Sequence, residues 1–173
     1  MRVAIITVSD AAAEGAREDL TGPALREMLQ AAGAEVVGLE VVADEQARIS
    51  AALRKLCDKG EVDIVLTNGG TGMGPRDVTP EATEEIIERR VPGLPEAMRI
   101  RTLSATIYAM LSRAVAGVRG NTLILNLPGS PRGAKECLEV VLPVLNHATE
   151  LLRGEAKECA GRLHRRSAPK TVD

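Results

Sequence analysis

Tryptophan and phenylalanine are absent from this 173-residue chain, and Tyr108 is its one tyrosine. Single-stranded nucleic acid is gripped by several aromatic side chains that stack on bases, and this chain cannot build such a platform. A flat ring would have to lie on aliphatic side chains or on glycine backbone. An excess of positive charge is also missing: 22 Lys and Arg face 24 Asp and Glu, for a net charge of −2. That balance argues against a basic nucleic-acid binder. Cysteine is sparse and odd in number. Cys57, Cys137 and Cys159 are widely spaced, no CxxC occurs, and the histidines are His147 and His164. This excludes a zinc site of ordinary spacing and argues against a disulfide framework. No apolar run approaches the roughly 20 residues of a membrane span. The segment MRVAIITVSD has one positive charge and a short apolar stretch, so it reads as a first strand and not as a signal peptide. A reducing cytoplasm is the expected location.

What is present is the composition of a globular domain, 45% hydrophobic and 27% charged. The length suits one domain that buries roughly 70% of its unfolded surface. Val3 to Val8 is an apolar, β-branched run of the kind buried on both faces of a parallel sheet. Ala11 to Asp19 reads as a loop. A helix follows, with Pro23 in its first turn, Leu25, Met28, Leu29 and Ala32 on one face, and Gly33 as its stop. Glu35 to Val42 reads as a second strand. Asp44 is placed to cap a helix carrying Ile49, Ala52, Leu53, Leu56 and Cys57. Ile64 to Leu66 is a third strand. Thr79-Pro80 opens another helix, broken by Pro92 and Gly93, and Leu94 to Leu111 reads as a helix followed by a loop or short strand. Thr122 to Leu127 is a strand that ends in Pro128-Gly129-Ser130-Pro131 and leads into a last helix, which Pro143 should kink or divide. Alternating strands and helices predict a three-layer α/β/α sandwich with a mostly parallel sheet. Residues 1–152 form this domain. Residues 153–173 form a polar tail with a net charge of +3, read as a solvated terminus.

Ligands of open parallel sheets bind beyond the carboxyl ends of the strands. Four predicted strands end in polar or glycine-rich segments: Ser9-Asp10, Asp44, Gly69 to Asp77, and Pro128 to Pro131. The fold would gather them on one edge. Four glycines between Gly69 and Gly74 let backbone approach a ligand and aim N–H groups at an anion. Pro75 and Arg76 follow Gly74, so this is not a Walker loop, and the glycine spacing is not GxGxxG. A redox dinucleotide enzyme is therefore disfavoured.

The segment TNGGTGMGPRDVTPEAT resembles the signature of the molybdopterin adenylyltransferases, the MoaB/Mog family of molybdenum cofactor biosynthesis. VSD near residue 8, ADEQ near residue 44, YAMLSRAVAG from Tyr108 and TLILNLPGSP from Thr122 extend the resemblance over about Arg2 to Leu152. It implies transfer of AMP from ATP to the terminal phosphate of molybdopterin, release of pyrophosphate, and use of Mg²⁺ or another divalent cation. It also implies a trimer, in some members a hexamer, and hand-over of product to a molybdenum-insertion enzyme. Asp44 and Asp77 match the two catalytic aspartates. Ser9, Asp10, Thr67, Gly69, Gly70, Thr71, Gly72, Arg76, Glu81, Ser112, Asn126, Pro128, Gly129 and Ser130 are the candidates for binding substrate and nucleotide. Two positions depart from the family: Asn68 stands where many members have Thr, and Ala43 where many have Pro.

The chemistry suits these residues. A phosphate monoester is already an anion at neutral pH, so no Ser/His base is needed. Bringing it to the α-phosphorus of ATP is a problem of positioning and charge neutralisation. Asp44 and Asp77 cannot neutralise phosphate themselves, but they can hold Mg²⁺. Arg76 could add positive charge. Simpler roles stay open. Asp44 could be a helix cap, Asp77 could order a turn, Ser112 could cap locally, and Arg113 only matches a family segment. Ser130-Pro131 is also an ordinary helix start, His147 fits a structural role, and Tyr108 could meet a partner subunit. The competing function is a paralogue that binds molybdopterin or a nucleotide without turnover. The apolar surface of Leu94, Met98, Leu103, Ile107, Met110 and Leu111 is the direct motive for expecting an oligomer.

Overall fold

The computed structural model describes residues 1–155. The tail beyond Glu155, with Cys159 and His164, lies outside them. A six-stranded sheet runs through the domain in the order β2-β1-β3-β6-β5-β4. β1 (Arg2–Val8), β2 (Glu35–Val42), β3 (Ile64–Asn68) and β6 (Thr122–Leu127) are parallel. The sequence reading did not resolve β4 (Arg89–Arg90) and β5 (Ala116–Arg119), which add an antiparallel edge.

The central strands β1, β3 and β6 are buried along almost their whole length because both faces of the sheet are covered. Alternation along β1 sends Val3 and Ile5 to one core and Ala4, Ile6 and Val8 to the other. On the first face pack α2 (Thr21–Ala31), α5 (Gly93–Thr102) and α6 (Pro131–Leu152), through Leu25, Leu29, Met98, Leu138, Val141 and Leu145. On the second face pack α3 (Gln46–Asp58) and α4 (Thr79–Glu84), through Ile49, Leu53 and Ala82. This is the expected three-layer α/β sandwich.

Several local expectations change. Asp10–Ala13 forms a short helix, α1, inside the predicted loop, with Ser9 as its cap. Asp44 does not cap α3: the cap position is Glu45, without a side-chain bond, and the Asp44 carboxylate accepts instead from the Asp10 N–H at the start of α1. Asp19 does the capping at α2, where its Oδ1 accepts from the Thr21 and Gly22 N–H groups, both at 3.0 Å. The helix after Gly93 stops at Thr102, and Thr106 then caps a 3₁₀ turn over Ile107–Leu111. α6 is not divided: it continues through Pro143, which stands on its exposed side. Met98 faces the core at 2% exposure and Leu94 packs against it, so neither adds to an outer apolar surface.

Asp63 ties the amino-terminal edge of the sheet together. Its Oδ2 accepts from the Arg2 N–H at 2.6 Å, and its Oδ1 from the Arg153 guanidinium at the end of α6, also at 2.6 Å. Burial alone would push this carboxyl up, but the Arg2 N–H and Arg153 outweigh it and hold it below the ordinary value of 3.8. A depressed folded-state pKa gives stability that is present above the ordinary value and is lost as pH falls through the folded one. Asp63→Asn keeps the Arg2 contact and removes the charge. It is predicted to cost about 1 kcal/mol near neutral pH. Thermal melts across pH should show this gap closing below the ordinary carboxylate value. A gap of constant size into acid would refute the charge role.

Candidate active site

The carboxyl ends of β1, β2, β3 and β6 meet at one edge, as the strand-end argument requires. Beyond β3 the chain enters the glycine loop. Gly69 and Gly70 have φ of 104° and 60°, and a Cβ at Gly69 would run into the Val8 carbonyl oxygen. A Cβ at Gly70 would meet the Thr79 hydroxyl and would stand 3.2 Å from the Asp44 carboxylate. Glycine is therefore required where backbone crowds backbone.

Two clefts flank this loop. One, of about 640 Å³, is polar and includes Ser9, Arg17, Asp19, Asp44, Asn68 and Gly69. The other, of about 580 Å³, is more apolar and includes Thr71, Gly72, Met73, Asp77, Tyr108 and Ser112. Gly70, Gly129 and Ser130 belong to both and form the ridge between them; Pro128 lines the apolar side. Ser130 caps α6, so the amino end of that long helix also faces the ridge.

The two aspartates singled out by sequence stand on either side of the loop. Asp44 Oδ2 accepts from the Asp10 N–H at 2.7 Å, and Asp10 Oδ1 accepts from the Asp44 N–H at 2.9 Å. Burial pushes the Asp44 carboxyl up, and the charges of Asp10 and Asp77 add to the rise against the Asp10 N–H and Arg76. Asp10 itself is held below the ordinary range, first by the Arg76 fork, whose nitrogens donate to its two oxygens at 3.1 and 2.9 Å. Arg76 is thus spent on Asp10 and lines neither cleft. Asp77 Oδ2 accepts from the Gly74 N–H at 2.7 Å, closing the loop on itself.

Besides Asp10 and Arg76, three more candidates sit away from the clefts. Thr67 and Asn126 are fully buried and paired across β3 and β6. The Asn126 amide donates to Thr67 Oγ1 and Thr83 Oγ1 at 2.9 Å, and its Oδ1 accepts from the Val115 N–H at 3.1 Å. These two residues are buried inside the sheet and line neither cleft. Glu81, in the first turn of α4, pairs with Arg113 instead of facing a cleft.

Arg113, which sequence reasoning left out of the site, clamps the glycine loop. Its N–H donates to the Thr71 carbonyl at 2.9 Å and its Nε to the Gly72 carbonyl at 2.6 Å. Its two terminal nitrogens hold the Asp77 carbonyl and the Glu81 carboxylate. No local spacing announces this clamp, because it joins residues some 40 positions apart. Among the described residues no cluster of three or more His, Cys, Asp or Glu could cage a metal. Asp44 and Asp77 nevertheless suit Mg²⁺, which takes one or two carboxylates and fills its remaining positions with water and substrate phosphate.

Arg113→Lys keeps the charge and loses the fork. The variant is predicted to lose about 1–3 kcal/mol of stability. Hydrogen exchange should quicken at the Gly74 and Asp77 amides. Unchanged exchange there would show that charge alone holds the loop.

Comparison with known proteins bears on the chain as a whole. Residues 4–147 match the family described as "Probable molybdopterin binding domain". The chain is similar to the molybdopterin adenylyltransferase of Helicobacter pylori, 41% identical over 156 residues and covering 89% of each protein. It is 43% identical to that of Escherichia coli K12 over 143 residues, 82% of this chain and 73% of that one. Among solved structures, the molybdopterin biosynthesis enzyme MoaB of Thermus thermophilus superposes with a TM-score of 0.84 at 55% identity, covering 91% of this chain and 99% of the other.

Proposed function

The chain belongs to the molybdopterin-binding domain family of molybdenum cofactor biosynthesis, and from that premise we propose that its reaction is the Mg²⁺-assisted transfer of AMP from ATP to the terminal phosphate of molybdopterin. It is an adenylyltransferase by its relatives. The observation that carries the mechanism is the placement of Asp44 and Asp77 on either side of one glycine loop, where two clefts meet. The polar cleft, rich in side-chain acceptors, suits the pterin. The apolar cleft suits the adenine, which would lie on aliphatic side chains and Tyr108.

A terminal phosphate oxygen of molybdopterin attacks the α-phosphorus, the bond to the β-phosphate oxygen breaks, and pyrophosphate leaves. The nucleophile is already ionised, so no side chain need remove a proton. Glycine-loop backbone and the amino end of α6 direct positive dipole at the phosphates. Asp44 and Asp77 would hold Mg²⁺, which neutralises phosphate charge when bound. Arg76 keeps Asp10 ionised and fixed, so that the Asp10 N–H can orient Asp44.

Pyrophosphate release from ATP, measured with and without molybdopterin and Mg²⁺, tests the reading. Asp77→Asn keeps an acceptor for the Gly74 N–H and removes the charge. Turnover is predicted to fall roughly 10²–10³-fold, or about 2.7–4 kcal/mol, with thermal stability nearly unchanged. Near-normal turnover in the folded variant would refute the catalytic role of Asp77. A wild type that binds molybdopterin without releasing pyrophosphate would favour the non-catalytic paralogue.

A trimeric assembly in the cytoplasm, with hand-over of the adenylated product to a molybdenum-insertion enzyme, completes the proposal. Ile100, Ile107, Tyr108, Met110 and Leu111 are exposed on α5 and the 3₁₀ turn, and such a patch favours association. No helix of the described residues is long and apolar enough to cross a membrane. Light scattering is expected to give three times the chain mass, and Ile107→Asp to lower it. A wild-type monomer at micromolar concentration would remove the trimer.

A further inference from the structure

Asn68 is 1% exposed and lines the polar cleft at the end of β3. Its Oδ1 is the one buried side-chain nitrogen or oxygen without a hydrogen-bond partner among the described residues. The identity of that atom follows from its neighbours. Asp19 Oδ1 accepts from the Thr21 and Gly22 N–H groups, and Asp19 Oδ2 accepts from the Thr7 hydroxyl at 2.6 Å. Thr7 has a single hydroxyl proton and spends it on the Asp19 carboxylate, so its oxygen can only accept from Asn68. The Asn68 amide group donates that bond at 2.9 Å. The amide orientation is therefore fixed from the first turn of α2 through Asp19 and Thr7, and the carbonyl oxygen is the atom left over.

A buried, unpartnered acceptor is costly in a folded protein and calls for an explanation. Here the residue that carries it borders a cleft, with Asp44, Asp19 and Ser9 among the other lining residues, and the oxygen itself is covered. We propose that Asn68 Oδ1 is a specificity-determining acceptor of the polar cleft, which receives a hydrogen bond from an N–H group of the pterin ring system. This rests on the assignment of the pterin to that cleft. A ligand that presents a ring nitrogen lone pair at the same point leaves two acceptors opposed, and the pocket rejects it. The Thr7–Asp19 relay fixes which way the amide faces before the ligand arrives; its oxygen is covered in this structure, so neighbouring groups must shift to admit the N–H group.

Asn68→Leu keeps the approximate shape and removes the acceptor. Asn68→Thr retains a hydroxyl that can accept, and gives a second variant should leucine not fold. Equilibrium binding of molybdopterin and of ATP is measured separately on each, beside thermal unfolding. The expected result is a molybdopterin affinity roughly tenfold or more weaker in Asn68→Leu, an intermediate value in Asn68→Thr, and an unchanged ATP affinity. A lower melting temperature with both affinities unchanged would overturn the proposal, since Asn68 would then serve only the fold. Equal losses for the two ligands would also overturn it, as collapse of the edge. A loss confined to ATP would overturn the pterin assignment of the cleft. Wild-type protein that fails to bind molybdopterin would reject the functional reading itself, and this inference with it.

Discussion

The guanidinium of Arg113 sets the shape of the edge where ligands would bind. A loop with four glycines between residues 69 and 74 has more backbone freedom to lose than almost any other segment. Arg113 offsets that cost by gripping Thr71 and Gly72 on one side and Asp77 and Glu81 on the other. It can do so because its own position is fixed. Arg99 holds the Ser112 and Ala114 carbonyls, and Asn126 exchanges bonds with Val115. The rigidity of the loop therefore descends from β6, through a buried amide and a segment of extended chain, to the Thr71 and Gly72 carbonyls that Arg113 holds.

Charge is distributed on the same principle. Three aspartates crowd an edge meant for polyanions, an arrangement that makes sense only if each has an assigned partner. Arg76 compensates Asp10, and Asp10 in turn orients Asp44 through the backbone. Burial first, and then the charges of Asp10 and Asp77, push the Asp44 carboxyl up.

Much of this was legible beforehand, and for a definite reason. β1, β3 and β6 are buried on both faces, so they read as mainly apolar runs, and the polar or glycine-rich segments that follow them mark one edge of the sheet. β4 and β5 were not legible. They are two and four residues long, and Ala116-Gly117-Val118-Arg119 carries little strand preference. Asp44 looked like a cap because an Asp before a helix usually is one. Its reciprocal bonds with Asp10 depend on β1 and β2 lying side by side, which no local pattern encodes. Thr67 and Asn126 looked ligand-facing from their place at strand ends, but the register of β3 on β6 pairs them inside the sheet. Arg113 and the Asn68 relay share the same obscurity, since each joins distant stretches of chain.

The ridge between the clefts has an evolutionary consequence. Only Gly70, Gly129 and Ser130 are common to both. Two of them have no side chain, and the hydroxyl of the third is occupied in capping α6. Mutation can therefore remodel the preference of either cleft without disturbing its neighbour, since scarcely any side chain answers to both. The partition itself has almost no room to drift: a larger residue in either glycine position would crowd backbone or the Thr79 hydroxyl. A lineage built on this scaffold can diversify the lining of each cleft while the junction between the two stays constant.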